Sequence, residues 1–521
     1  KNGEAPNDSI LYKNLNIHYY DKLRVRPNML YRWMNYQQFV RSKQMRASNR
    51  TRLYSQYRQE QVQEKLSQLG IFSYLDMQYA PRDTTAACDT LDVTMQATFA
   101  KPLDAELELN VVTKSNDQTG PGASFGVTRN NVFGGGESWN VKLKGSYEWQ
   151  TGGGEKSSLM NSWEMGLSTS LTFPRVVFPH LGKREFDFPA TTTFRLYINQ
   201  LNRAKYYKLL SFGGNATYDF QPSRTSRHSI TPFKLTFNVL QHQSEDFKEI
   251  AEANPALYVS LRNQFIPAME YTYTYDNASV RRIKNPIWWQ STVTSAGNIT
   301  SLIYRAFGKP FNEEDKSLLG APFAQFVKLN TELRHLWNID KNNAIASRMA
   351  VGALFTYGNA TIAPYSEQFY VGGANSIRAF TVRSVGPGGY HPEEGKYSYL
   401  DQTGTFRFEA NVEYRFRIFK SFWGATFLDA GNVWLLRKDR KLLADGTEAR
   451  PNSQLRLKTF PKQIALGTGV GIRYDMDILV FRLDFGIPLH LPYDTDRSGY
   501  YNVTGAFLKN LGIHFAIGYP F

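Results

Sequence analysis

A two-residue alternation, sustained far longer than a soluble sheet needs, is the feature that most constrains this chain. Trp139, Val141, Leu143, Tyr147 and Trp149 alternate with Asn140, Lys142, Lys144, Ser146 and Glu148. Trp163, Met165, Leu167, Leu171 and Phe173 do the same against Ser162, Glu164, Ser168 and Ser170. The pattern returns in Phe233/Leu235/Phe237/Val239, in Met269/Tyr271/Tyr273/Tyr275 and in Phe406/Phe408/Val412/Tyr414/Phe416. Opposite that last set stand Arg407, Glu409, Asn411, Glu413, Arg415 and Arg417. Period two places one set on each face of a sheet. A globular sandwich alternates too, but its strands average about 5–6 residues, and these runs reach 12 to 15. Such lengths suit strands tilted across a bilayer.

About sixteen such segments follow residue 104, near 105–114, 122–130, 138–150, 160–173, 190–200, 207–221, 229–242, 266–277, 286–299, 323–337, 344–357, 405–418, 421–434, 460–474, 477–488 and 507–521. An even number closes a single-chain barrel. Connections alternate between short (418–421, 474–477) and long (434–460, 488–507). Trp149, Trp288, Trp289, Trp337 and Trp434 fall towards strand ends, as interfacial girdles do. Composition agrees once both faces are averaged: a mean hydropathy of −0.44 accompanies 14% aromatic residues. No window approaches the ~18 apolar residues of a spanning helix, and a chain 42% hydrophobic is too rich in core-forming residues for disorder. The expected fold is therefore an all-β transmembrane barrel of sixteen antiparallel strands over 105–521.

Residues 1–104 have a different texture. Ile10–Tyr20 is strand-like, 53–69 places Leu53, Tyr57, Val62, Leu66 and Leu69 near one helical face with Gly70 as the stop, and Ile71–Tyr79 and Leu91–Phe99 are further strands. This βααββ order describes one small α/β domain. A single cysteine, Cys88, excludes an intrachain disulfide or a multi-cysteine metal site. The net charge of +15 is spread along the chain without a nucleic-acid module. It fits attraction to anionic headgroups or sugars, and the basic run Arg41–Arg52 reads as a solvated loop. The chain opens at Lys1 without a signal-peptide pattern, as expected of a processed or trimmed product.

One connection breaks the length rule. Residues 358–404 span 47 positions, well beyond the ~12–15 above which loops are usually functional or disordered. Within it, VGGANSIRAFTVRSVGPGGY at 371–390 sets Ile377, Arg378 and Phe380 among glycines 372, 373, 386, 388 and 389. Two readings stand: an ordered surface loop with a solvated Arg378, or a loop folded into the lumen. The second requires an acidic partner, for which Glu409, Glu413 and Asp429 are candidates. The chain closes on Ile513, Phe515, Ile517, Tyr519 and Phe521, alternating with Gly512, His514, Ala516, Gly518 and Pro520.

Together these motifs resemble the BamA/TamA superfamily, in which POTRA domains precede a sixteen-stranded outer-membrane barrel. Ser376, Ile377, Arg378, Ala379 and Phe380 are similar to its loop-six signature V-R-G-F/Y, with Ala379 at the usual glycine position. FLDAGNVW (427–434) resembles its Asp–Gly strand motif, RNNVFGGGE (129–137) its early turn, and the terminal Phe521 its outer-membrane recognition signal. The wording of 377–388 is most like the Bacteroidota members called TamL. The resemblance implies a POTRA domain over 1–104 in the periplasm, further POTRA domains and a lipidated terminus upstream, a barrel in the outer membrane of a Gram-negative bacterium, and Arg378 paired with Asp429; Glu413, on the polar face of its strand, is the candidate for a second acid.

The expected function is assembly: insertion of client barrel proteins through a lateral seam. Leu109, Gly512, Ile513, Gly518, Pro520 and Phe521 lie at that seam, weakened by glycine and by a proline that cannot donate to a ladder. Expected partners are outer-membrane lipids and lipopolysaccharide, client barrels, and a TamB-like inner-membrane protein reached through the POTRA domain. A BamA-type central insertase, a protein-secretion pore and a lipid-transport component are the alternatives. No nucleophile is framed by a base and no metal-ligand spacing stands out, HPEEG at 391–395 included, so no enzymatic activity, metal or cofactor is expected.

Overall fold

The computed structural model describes the chain apart from residues 1–5, 14, 36–55, 84, 86–89, 114–117, 151–161, 179–189, 204–206, 246–247, 249–262, 279–282, 314–315, 319, 360–362, 393–401, 439–447, 449 and 506–509. Cys88, the basic run at 41–52, Leu53 and most of HPEEG lie outside the described residues.

The N-terminal unit consists of β1 (Asp8–Tyr12), β2 (Leu15–Tyr19), α1 (Pro27–Asn35), α2 (Gln56–Gln68), β3 (Phe72–Pro81) and β4 (Leu91–Phe99). Pro27 opens α1, where its missing N–H costs nothing. Gly70, at φ 65°, ends the turn after α2. Met29 and Leu30 of α1 pack on Ile17, Val25 and Ile71, and Val62 and Leu66 of α2 pack on Met34 and Met77. The single strand expected over Ile10–Tyr20 is instead a hairpin, β1 against β2, with Ile10 facing Ile17. Lys13 in the left-handed region (φ 59°) reverses the chain there. The order is thus ββααββ, and β1–β2 and β3–β4 form two separate two-stranded sheets.

The rest of the chain builds one antiparallel sheet of sixteen strands. They are β5 (Leu103–Thr113), β6 (Gln118–Asn130), β7 (Ser138–Gln150), β8 (Ser162–Phe173), β9 (Ala190–Arg203), β10 (Tyr207–Phe220), β11 (Ser226–Gln243), β12 (Gln264–Asp276), β13 (Ile287–Ala296), β16 (Phe326–Asn338), β17 (Asn343–Thr356), β18 (Phe406–Phe419), β19 (Phe422–Trp434), β20 (Ala465–Asp475), β21 (Val480–His490) and β22 (Gly512–Ile517). Between β13 and β16 come helix α3 (Asn298–Ala306) and a small hairpin of β14 (Ser317–Leu318) and β15 (Ala321–Pro322). Each strand pairs with the next, so all sixteen sequence segments are strands. Among the described residues β5 and β22 are the two ends of the sheet and do not pair with each other. No described helix is long and apolar enough to cross a membrane.

Alternation sorts the faces. Leu143, Leu167, Leu196, Leu235, Met349, Val412, Val470 and Ile513 are exposed on one side. Arg348, Glu409, Glu413, Asp429, Arg473 and Asp484 are buried on the other. Short turns (339–342, 420–421, 476–479) lie at one end, together with the longer connections 174–189 and 277–286, and the opposite end carries the long connections 357–405, 435–464 and 491–511. The N-terminal unit sits at the short-turn end. There the Arg26 amide donates to Gly134 O (2.7 Å) and Asn131 Nδ2 donates to Arg24 O (2.7 Å). The turn that receives it is built by Asn131 and Glu137, which accept from the amides of Gly136 (3.1 Å) and Gly135 (2.8 Å).

One expected strand is shorter than its sequence pattern. The segment 507–521 is extended only over Gly512–Ile517. The Gly518 amide makes a bond to Val480 O, and with φ at 86° this residue then turns the chain out of the sheet. Tyr519 and Phe521 come to lie by the guanidinium of Arg415, at 4.3 and 5.8 Å from ring centre to its carbon.

Candidate functional site

The loop after β17 enters the interior of the sheet. Its Phe369, Val371, Ile377, Ala379, Phe380 and Val385 share one buried core with inward side chains of the wall, among them Ile266, Ala296, Phe326, Leu354 and Val433. This apolar packing seats the loop against the wall. Gly372, at φ 103°, makes the turn possible: a Cβ there would meet Thr381 O at 2.0 Å.

At the tip, Arg378 is fully buried. Its amide and its Nε donate to Asp429 Oδ2 at 3.0 and 2.8 Å, and Nη2 donates to Oδ1 at 2.9 Å. Nη1 reaches Glu413, and Asp484 Oδ2 lies 3.9 Å away. The guanidinium stacks on Phe427, 3.5 Å from the ring centre. The two-pronged grip on Asp429 uses the planar fork that only arginine offers. Glu409, the other sequence candidate, does not touch Arg378 but accepts from Ser376 Oγ (2.5 Å) and pairs with Arg348 (3.2 Å) and Arg407 (3.2 Å).

Sequence reasoning missed most of the surrounding network. Arg473 bridges Glu413 (3.1 Å) and Asp484 (2.6 Å), Arg415 holds Glu413 at 2.8 Å, and Arg482 Nη2 donates to Asn375 Oδ1 (2.7 Å). Asn411 Nδ2 donates to Asp429 Oδ1 (2.9 Å) and to Ser376 O (2.8 Å). All these wall residues stand at inward positions of β18 to β21, a signal that alternation alone contained. His514 is the inward polar residue of β22, and its Nε2 lies 2.8 Å from Arg378 O. The loop tip therefore touches the last strand.

The wall has been flattened to admit the tip. A Cβ on Gly467 would fall 2.3 Å from Ala379 Cβ, and one on Gly486 would fall 2.5 Å from Arg378 O. Ala379, in place of the usual glycine, is accommodated because Gly467 opposite it has no side chain. Leu109 (β5) and Ile513 (β22) are exposed on the outward face. Gly512 also lies in β22, while Gly518, Pro520 and Phe521 lie past the strand's end.

A wall of sixteen antiparallel strands, its inner side occupied by a long loop pinned through a buried arginine, defines the class of protein as a β-barrel. The chain belongs to the Omp85 superfamily, whose domain matches residues 131–521. Its fold is similar to that of BamA from Haemophilus ducreyi lacking POTRA domains 1–3, at 14% identity and a TM-score of 0.56, over 91% of this chain and 79% of that one. It is also similar to CdiB from Acinetobacter baumannii (13% identity, TM-score 0.48, 90% and 69% of the two chains) and to CdiB from Escherichia coli (12%, 0.43, 89% and 71%). Membership of this superfamily carries a general role in insertion or translocation at the outer membrane.

Proposed function

We propose that this protein is a non-enzymatic assembly factor that inserts β-barrel clients through the seam between β5 and β22, as a TamA- or TamL-like member of its superfamily would. The observation that carries this reading is the seam itself. β22 is six residues long, its neighbour β21 has eleven, and β5 and β22 are unpaired with each other. Two free strand edges are templates for a further strand, and a client strand adds to them by β-augmentation. The N-terminal unit, bonded to the turn at 131–137, would act as a POTRA domain, offering clients or an inner-membrane partner its own strand edges from the periplasm. Loop residues from Phe369 to Val385 are packed against the inner side of the wall, which favours lateral passage over a dedicated secretion pore.

The test is a lock across the seam. In a Cys88→Ser background, Leu109→Cys and Ile513→Cys are oxidised in the purified protein reconstituted in vesicles, and insertion of a newly synthesised eight-stranded barrel is followed by its heat-modifiable migration. Oxidation should abolish insertion and reduction restore it. Equal insertion by the locked and unlocked protein would overturn the seam mechanism.

A further inference from the structure

Helix α3 turns an apolar stripe to the outside of the molecule. Ile299, Leu302, Ile303 and Phe307 stand at i, i+3, i+4 and i+8, and all four are exposed, Phe307 at 84%. The helix cannot roll to hide them, because its other side is committed. Ser301 is fully buried and its Oγ accepts from Lys316 Nζ at 3.1 Å. Thr300 is buried beside it. The Tyr304 ring packs 6.1 Å from that of Phe323.

The same contacts locate the helix on the rim. Asn298 Nδ2 donates to Ser295 Oγ (2.8 Å), and Asn298 Oδ1 accepts from Tyr357 Oη (2.8 Å). Ser295 continues the outward row of β13 that includes the exposed Trp289 and Val293, and Tyr357 continues that of β17, with Met349 and Phe355. Phe323 bridges Phe265, which heads the outward row of β12. Helix α3 therefore rests over the lipid-facing side of the wall and not over the lumen, at the end opposite the N-terminal unit. Its stripe is turned away from the side that contacts Lys316 and Phe323.

We propose that α3 is an interfacial anchor whose stripe inserts into the acyl layer of the membrane leaflet at the long-loop end of the barrel. A short helix with an apolar face and a polar, fixed back lies in the plane of a bilayer boundary, its apolar face ~5–10 Å deep. Arg305 and Lys309, both exposed at its C-terminal end, have stems long enough to keep their charges at headgroup level. β13 is the ninth strand of the sixteen, so the anchor grips the wall across the barrel from the seam. The inference is independent of what passes through that seam.

The test uses the whole chain in vesicles of phosphatidylethanolamine and phosphatidylglycerol. In the Cys88→Ser background, an environment-sensitive fluorophore is placed at Leu302→Cys, at Val293→Cys as a lipid-exposed reference and at Ser498→Cys, exposed in the 491–511 connection, as an aqueous one. The Leu302 probe should match the Val293 probe, with several-fold stronger quenching by nitroxide-labelled lipid and several-fold weaker quenching by iodide than the Ser498 probe. A Leu302 probe as open to iodide as the Ser498 probe would overturn the anchor and assign the stripe to a water-borne partner. Because a fluorophore can itself favour lipid, the unlabelled pair Leu302→Asp/Ile303→Asp is the second arm. Short helices are marginal without packing, so amide exchange within α3 should rise several-fold in vesicles. Unchanged exchange would equally overturn the proposal.

Discussion

Asp429→Ala is the perturbation that best isolates the loop's anchorage. It removes the acceptor of four hydrogen bonds, three from Arg378 and one from Asn411, and leaves the guanidinium buried. Removing one partner of a buried ion pair costs about 3–5 kcal/mol. Glu413 stays in contact and Asp484 stays within 3.9 Å, so the lower end, about 3 kcal/mol, applies here. That is roughly a hundred-fold shift in the loop's seating equilibrium. The apolar core of the loop remains, so the barrel itself should still migrate as folded in the cold. The readout is amide exchange in detergent micelles. The Arg378 amide, which donates to Asp429, and the Gly373 amide, which donates to Phe380 O at 2.8 Å, should lose about a hundred-fold in protection while strands β7 to β9 keep theirs. Asp429→Asn, which retains one acceptor, should fall between the two. Joining Asp429→Leu to Arg378→Met removes both charges and should recover part of the loss, because coupled sites are not additive. Protection in Asp429→Ala within about two-fold of the parent would refute the assignment of Arg378 as the loop's pin.

Three further outcomes are expected. Gly467→Ala places a methyl against Ala379 and should cost about 1–3 kcal/mol of loop or barrel stability; adding Ala379→Gly should restore it, and both effects can be measured by urea titration of the reconstituted protein. His514→Ala removes the contact with Arg378 O and should loosen β22 by about 1 kcal/mol, seen as faster exchange at Phe515 with β20 unaffected; equal exchange would mean the loop does not steady the last strand. Asp340, in the turn between β16 and β17, is held below its ordinary value by the Asn342 amide and the Asn343 side chain. The ionised turn therefore binds fewer protons than the unfolded chain, so its contribution is complete above about 3.9 and is lost as pH falls through the lower folded value. Exchange at Asn342 should accelerate in that window, and Asp340→Asn should abolish the pH step.

The strands were legible because burial on one face and lipid on the other impose period two on every one of them, as Phe406–Phe419 illustrates. Arg378 stood out because an arginine between Ile377 and Phe380 is costly unless paired, and Asp429 and Glu413 because they occupy the polar face of neighbouring strands. Arg473, Arg482 and Asp484 obey the same rule, yet nothing local distinguishes them from any other inward charge. Their meeting depends on how four strands curve around one loop. The break at Lys13 was hidden because both halves of 10–20 have strand-like composition. The end of β22 is hidden in the sequence because Tyr519 and Phe521 keep the alternation after Gly518 has left the sheet, and their rings lie by Arg415.

The glycines at 467 and 486 bear on the order in which this molecule can be built. A strand with bare backbone where side chains should pack is weak by itself, and β20 carries Gly467, Gly469 and Gly471 in a row of alternate positions, with Gly486 next to them on β21. At Gly467 and Gly486 those strands take their inner covering from Ala379 and Arg378 of the loop. The loop is thus a template as much as a plug. The covering of β20 and β21 at these two positions comes from residues that precede β18, which ties the last quarter of the wall to an earlier part of the chain.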